Sequence, residues 1–350
     1  MENTKQPLLP PQQAISFGIP LRRNATRFMC FLICVGILTA AFALSGVWKT
    51  GEGWFGGNGA LGQTDPTTEI QDTSTSDQMA GEDPPVSESI PDGAVPVISM
   101  DLSCDWNTGS FLQNQTAHQI DLSEIRAMPC VTKLKTEGPL VLILHTHATE
   151  AYLEPNTSYL TDSIGSAIYS DNESRCVTSV GKALCDTLNE NGISAVHCAE
   201  KHGKDGTLQD AYAGSEACIK AYLEQYPSIQ YIIDVHRDGI LNREGALVRT
   251  DAEKDGSSYS QVMAVVGSDG NGTPCPNWKT NLSLAVKICE ALNDRVENIS
   301  RPISLRNSSY NQELAPRSLL LEIGSAGNTQ EEAIRTAKLI GVALSDLLKD

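Results

Sequence analysis

Basic residues are scarce in this chain: 26 lysines and arginines stand against 43 aspartates and glutamates, a formal net charge of -17 over 350 residues. From Gly51 to Val95 there is no lysine or arginine at all. Phosphate contacts need clustered cationic side chains, so this balance argues against a nucleic-acid partner, and a surface gripping anionic lipid is disfavoured on the same ground. The ten cysteines contain no C-x-x-C pair, which argues against a cysteine zinc cluster, and spacing alone assigns no disulfide. Cys185 and Cys289 fall in helical patterns and read as small core residues. Protease helices of the H-E-x-x-H or H-x-x-E-H kind are missing. The H-x-H-x-D-H pattern is missing too, because Thr149 and Glu150 fill its last two places. No internal repeat is visible.

One long apolar run is present. Phe28–Trp48 carries no charge and is long enough to cross a bilayer as a helix. Lys5, Arg22, Arg23 and Arg27 precede it, so the positive-inside rule places residues 1–27 in the cytoplasm and the remainder outside. A cleaved signal peptide is the rival reading, but the run is longer than a usual signal core and no clear cleavage site follows. Residues 49–95 are acidic and rich in Gly, Pro, Ser and Thr, a composition that reads as a disordered stalk. Residues 96–137 are weakly patterned, with an amphipathic helix conceivable near Ser123.

From residue 138 to 350 the pattern is regular. Strands are expected at Leu140–Leu144, Ile193–His197, Ile229–Val235 and Leu319–Ile323. Helices are expected from about Ser174, with Val177, Val180, Leu184 and Leu188 on one face and Gly192 as the stop, then near Leu208–Glu224, Asn281–Val296 and Thr329–Leu348. Ala246–Arg249 and Gln261–Val266 suggest a hairpin-like region. Strands alternating with helices predict a layered α/β domain with a mostly parallel central sheet flanked by helices.

Histidine is sparse, six in all, yet three of the six end two of these strands: His145 and His147 after Val141–Leu144, and His236 within Tyr231–Asp238. Ligands and metals bind at the carboxyl ends of strands in α/β folds. Histidines with a carboxylate there suggest a hydrolytic zinc site with one open position. His147, just past its strand, is the preferred first ligand; His145 could ligate instead, or orient it. His236 supplies the second imidazole, and Asp234 is placed to hold its ring. Glu150 and Glu173 are the candidate carboxylate ligands, Glu173 reading equally well as a helix N-terminal acid. Glu322 lies within Leu-Leu-Leu-Glu-Ile-Gly, where an ionised carboxylate is costly unless paired or functional, and it is the candidate general base. Arg237, Asn311 and Gln312 could bind substrate carboxylates or amides. For Arg317 and Asp238 loop buttressing is favoured, and His197 and His202 read as structural or groove-lining.

Four segments carry a family resemblance: Leu144–Tyr152 (LHTHATEAY), Asp234–Gly239 (DVHRDG), Ser309–Arg317 (SYNQELAPR) and Leu320–Thr329 (LLEIGSAGNT). In this order, behind a fitting anchor, they resemble the stage II sporulation protein P family of membrane-anchored cell-wall hydrolases of endospore formers. That family is similar to the zinc N-acetylmuramoyl-L-alanine amidases. The resemblance implies His147, Glu173 and His236 as zinc ligands and Glu322 as the catalytic glutamate. Thr146 stands where the amidase pattern has glycine, and His145 is additional. It further implies cleavage of the amide between N-acetylmuramic acid and L-alanine in peptidoglycan, with peptide cross-links as a second target. The setting would be forespore engulfment, in the septal or engulfing membrane space, with stage II sporulation proteins D and M as partners. Two readings compete: a non-catalytic wall-binding scaffold, whose sign would be a degenerate site, and a zinc peptidase of stem peptides, which shares the metal chemistry.

Overall fold

The computed structural model describes residues 90–349, apart from 109, 130–136, 162–163, 203–207 and 271. The cytoplasmic segment, the span at Phe28–Trp48 and nearly all of the stalk lie outside the described residues. Among those described, no helix is long and apolar enough to cross a membrane.

In chain order the strands are β1 (Val95–Met100), β2 (Leu112–Asn114), β3 (Val141–Leu144), β4 (Tyr159–Leu160), β5 (Ala195–His197) and β6 (Tyr231–Asp238). They continue with β7 (Leu247–Lys254), β8 (Ser257–Ser260), β9 (Val262–Gly267), β10 (Ile303–Arg306) and β11 (Ser318–Ser325). The helices are α1 (Leu122–Ala127), α2 (Ile164–Ile168), α3 (Val177–Glu190), α4 (Leu208–Gln225), α5 (Trp278–Asn293) and α6 (Gln330–Lys349), with a 3-10 turn at Glu173–Arg175. A seven-stranded sheet runs β2-β10-β9-β11-β6-β3-β5, and a four-stranded sheet runs β4-β1-β7-β8. Every pairing in the larger sheet is parallel except β9 with β11. The expected mostly parallel α/β layering is therefore the fold.

Alternation along the central strands sorts the core into two layers, as the two-residue period of a strand demands. Val141 and Ile143 of β3, with Tyr231, Ile233 and Val235 of β6, pack with α3, α5 and α6. Leu142, Leu144 and Ile232 point the other way, toward Cys218 and Ile219 of α4. Covering both faces is what lets β3 (VLIL) and β9 (VMAVVG) be buried along their whole length. Gly192, at φ 78°, ends α3 in the left-handed conformation that glycine adopts without strain. Helices α3 and α6 meet closely, since a Cβ on Gly341 would come within 2.8 Å of Thr187.

Three features differ from the sequence reading. The hairpin is β7 with β8, closed by Asp255 and Gly256 at φ 53° and 73°, while Gln261–Val266 belongs to the larger sheet. Asp-Gly with two positive φ angles is the chemistry of a tight hairpin turn, and it marks the true hairpin. Second, β10 joins the sheet although its four residues carry little pattern. Third, the weakly patterned segment after residue 95 is built into the domain. β1 pairs with β7, β2 with β10, and α1 is tied to α5 by Arg126–Glu290 at 2.8 Å and Lys279–Glu124 at 3.0 Å.

Leu184, fully buried on α3 between the sheet and α6, should be among the costlier positions to truncate. Leu184→Ala is expected to lose about 2–5 kcal/mol of unfolding free energy with an unchanged denaturant slope, read by urea titration.

Candidate metal centre

The turn after β3 carries His147 and Glu150, and β6 presents His236 beside them. Glu150 lies between the imidazoles, with His147 Nδ1 3.3 Å from its Oε1 and His236 Nδ1 3.4 Å from its Oε2. One ligand atom from each of the three lies within 4.8 Å of the others. His147 Nε2 is buried without a hydrogen-bond partner. His236 Nε2 lies 3.0 Å from Asp234 Oδ1 but without hydrogen-bond geometry. Two imidazoles and a carboxylate with unspent donor capacity are the donor set that catalytic zinc takes, so these residues fit the metal.

The electrostatics agree. Burial would lower the His236 pKa, but the Asp234 and Glu150 carboxylates raise it well above its ordinary value. Burial likewise opposes ionisation of Glu150, yet the His236 charge and the bonds from His147 and His236 hold it well below the usual carboxylate range. A positive charge thus belongs between these groups, a proton on His236 in the metal-free chain or a divalent cation in its place. Glu322 is the contrast. Burial pushes its carboxyl up to about 8 against the pull of His236, with Glu150 and Asp238 adding to the push. Its Oε2 has no partner. Glu322 is in register with His236 across the parallel β11–β6 pairing, so both side chains reach one face. They open with His147 and Glu150 into a cleft of about 530 Å³.

His145 does not join this centre. It follows Val141 and Ile143 in alternation and points to the α3 face, where a Cβ on Gly181 would meet its Cε1 at 2.3 Å. Its Nδ1 lies 2.9 Å from the Val235 carbonyl, which can only accept, so Nδ1 carries the proton and Nε2 accepts from His197 Nε2 at 2.8 Å. Glu173 is not in the cluster either: it is exposed on the 3-10 turn, and of the two candidate carboxylates Glu150 is the one beside the imidazoles. Asp234 holds the turn, accepting from Thr146 N at 2.8 Å and Thr146 Oγ1 at 2.6 Å.

The three candidate substrate binders are committed elsewhere. Arg237 donates its backbone N–H to Glu150 Oε2 at 3.1 Å, and its guanidinium bonds the carbonyls of Ala151 and Ile168. Asn311 donates to Tyr212 O and Ser215 Oγ, both at 2.9 Å. Gln312 accepts from Gly267 N at 2.8 Å and donates to Val265 O at 2.9 Å. Asn311 is thus spent on helix α4, the Arg237 guanidinium on carbonyls of the turn and of the end of α2, and Gln312 on the backbone of β9. Asp238 pairs with Arg301 at 2.8 Å, and the Arg317 guanidinium lies over the Tyr231 ring. Arg237 still lines the cleft, together with side chains not anticipated: Tyr212, Tyr310, Lys201 and Arg306. The Tyr212 ring stands edge-on to His147 at 5.7 Å, and Tyr310, at φ 53°, faces Tyr212 at 6.0 Å.

A family model described as Stage II sporulation protein P (SpoIIP) matches residues 62–345. The chain therefore belongs to the stage II sporulation protein P family. The curated stage II sporulation protein P of Bacillus subtilis (strain 168) is 30% identical over 221 residues, covering 60% of this chain and 51% of that protein. The chain thus matches about half the length of that relative. Among solved structures, the N-acetylmuramoyl-L-alanine amidase AmiC2 of Nostoc punctiforme aligns at a TM-score of 0.34 and 13% identity, over 61% of this chain and 96% of that one. The CwlD amidase of Clostridioides difficile, solved with the GerS lipoprotein, aligns at 0.35 and 14%, over 59% and 98%. Likeness at these scores is too slight to bear on the chemistry.

The buried histidine pair sets a pH dependence. Burial first, then the neighbouring His197, lowers the His145 pKa to about 3, and burial with nearby Lys182 lowers that of His197 to about 4. Histidines depressed in the folded state bind protons first in the unfolded chain. Their stabilisation is complete above the ordinary pKa of about 6.5 and is lost as pH falls through the folded values. The melting temperature should fall between pH 6.5 and 4, and His197→Gln, which keeps an N–H for His145, should make that fall shallower.

Proposed function

We propose that this chain is a zinc-dependent peptidoglycan hydrolase that cleaves the amide between N-acetylmuramic acid and L-alanine. The observation that carries the reading is the convergence of His147, Glu150 and His236 at one cleft, with Glu322, whose Oε2 has no partner, beside them. Family membership supports the substrate class. Zinc, when bound by these three residues, supplies Lewis-acid polarisation of the scissile carbonyl and activation of water.

The chain's own residues do the remainder. Arg237 fixes the Glu150 carboxylate through its backbone N–H, and the Asp234 carboxylate, 3.0 Å from His236 Nε2, adds negative charge beside the ring, so the donor set is prepared before a cation arrives. In its ionised form Glu322 takes the proton from the attacking water and delivers it to the leaving nitrogen; a cation at the neighbouring centre would favour that form by drawing the carboxyl pKa down from about 8. Lys201 and Arg306 on the cleft wall offer positive charge to stem-peptide carboxylates, and Tyr212 and Tyr310 offer flat surfaces for the glycan or peptide. In this proposal residues 28–48 anchor the chain with residues 1–27 in the cytoplasm, residues 49–95 tether it, and residues 138–350 act on the wall outside. Stage II sporulation proteins D and M would be its partners in forespore engulfment.

Wall digestion by the full chain and by Glu322→Gln, with mass spectrometry of the fragments, tests this. The variant should keep its metal and fold while cleavage drops at least 10²-fold, on the order expected for loss of a general acid–base. Fragments should carry free lactyl sugar ends and free L-alanine amines. Undiminished turnover by the variant would remove Glu322 from the chemistry, and cut cross-links on intact sugar–peptide units would make the enzyme a peptidase.

A further inference from the structure

A second group of metal-binding side chains lies outside the centre described above, at residues whose spacing gave no hint of it. Cys198 follows β5 directly, His202 lies four residues on, and Cys218 is on α4. One ligand atom from each lies within 4.8 Å of the others. Both cysteines are buried, at 4% and 8% exposure, and their sulfurs are 2.9 Å apart. The His202 ring rests against α4, where a Cβ on Gly214 would meet its Cβ at 3.1 Å. Its Nε2 is buried without a hydrogen-bond partner.

Two neutral thiols do not rest at that separation, since unbonded heavy atoms meet at roughly 3.5–4.0 Å. The contact is relieved in one of two directions. A disulfide would draw the sulfurs in to about 2.05 Å. A shared cation with metal–sulfur bonds of about 2.3 Å in tetrahedral array would set them roughly 3.8 Å apart. His202 separates the two. A disulfide gives no role to the imidazole nitrogen that lies within 4.8 Å of both sulfurs, whereas a metal uses all three donors at once.

We propose that Cys198, His202 and Cys218 form a second metal site, taking zinc or another borderline divalent cation, with its fourth position left to solvent. The site joins the end of β5 to α4. Both border the cleft, where Lys201, His202, Ala211 and Tyr212 form one wall. Helix α4 also touches the turn of the first centre, since Ser215 Oγ lies within hydrogen-bond distance, 2.9 Å, of Thr146 Oγ1, whose own proton goes to Asp234. The cation braces this wall and so positions Tyr212 against His147. The site stands whether or not the chain is a hydrolase.

The test is cobalt substitution of the reduced, chelator-stripped full chain in detergent. Thiolate bound to cobalt gives a near-ultraviolet charge-transfer band that the His147, Glu150 and His236 donors, having no sulfur, do not give. The band should appear in the wild type and persist in His236→Ala. It should vanish in Cys218→Ser, and in His202→Gln it should need at least tenfold more cobalt to develop. His202 is half-buried, so its variant reads the site even where Cys218→Ser fails to fold. No band in the folded wild type, a band unchanged by both variants, or a Cys198–Cys218 disulfide in the unreduced protein, two hydrogens lighter by mass spectrometry, would overturn the proposal. Loss of metal in His236→Ala with the band retained would show the first centre independently of the second.

Discussion

Glu150, a carboxylate shut between two imidazoles, is the constraint on which the rest of the site depends. A buried charge is tolerated only with compensation, and this one has His236, His147 and the Arg237 backbone N–H around it. Arg237 in turn spends its guanidinium on the Ala151 and Ile168 carbonyls, which pins the turn that carries Glu150 to the loop that leads into the 3-10 helix. Asp234 secures the other side by accepting twice from Thr146. Two carboxylates thus surround His236, and the pocket is set for a cation before any arrives. Glu322 shares the same cleft with its Oε2 unpartnered, and in the metal-free chain its carboxyl holds its proton at pH values where Glu150 is charged.

The layering explains why only some of the histidines take part. Strand parity sends His236 and Glu322 to the α4 face, with Ile232 and Leu320, and sends His145 to the α3 face, with Ile143. His147 escapes the parity rule because it lies in the turn beyond β3, and so it reaches His236. A cleft at the carboxyl ends of β3 and β6 is where a parallel sheet leaves room for a ligand. Helix α4 closes one wall of that room, so whatever fixes α4 to β5 also fixes Tyr212.

Much of this was legible in the sequence because burial on both faces leaves long apolar strings: β3, β6 and β11, and the Val177, Val180, Leu184 and Leu188 stripe of α3. His147, His236 and Glu322 stood out as polar residues at the ends or in the middle of such strings. The residues left Glu150 and Glu173 open as the carboxylate ligand, and only the family resemblance favoured Glu173. The available signal was the three-residue spacing from His147, which in a tight turn returns a side chain to its neighbour. Arg237, Asn311 and Gln312 read as substrate contacts, but a polar side chain can equally be spent on backbone of a turn, a helix or a strand that folds against it from far along the chain. The short strands β1, β2 and β10 owe their structure to pairing partners far along the chain, and no local pattern announces that. Cys198 and Cys218 meet across a strand and a helix for the same reason.

The most direct measurement is an anomalous-scattering map from crystals of the zinc-loaded chain, collected at the zinc edge. The account predicts a peak bonded by His147, Glu150 and His236, with Glu322 facing it across the cleft. No peak there in the loaded protein, or a peak bonded by Glu173 or His145 in place of Glu150, would contradict it.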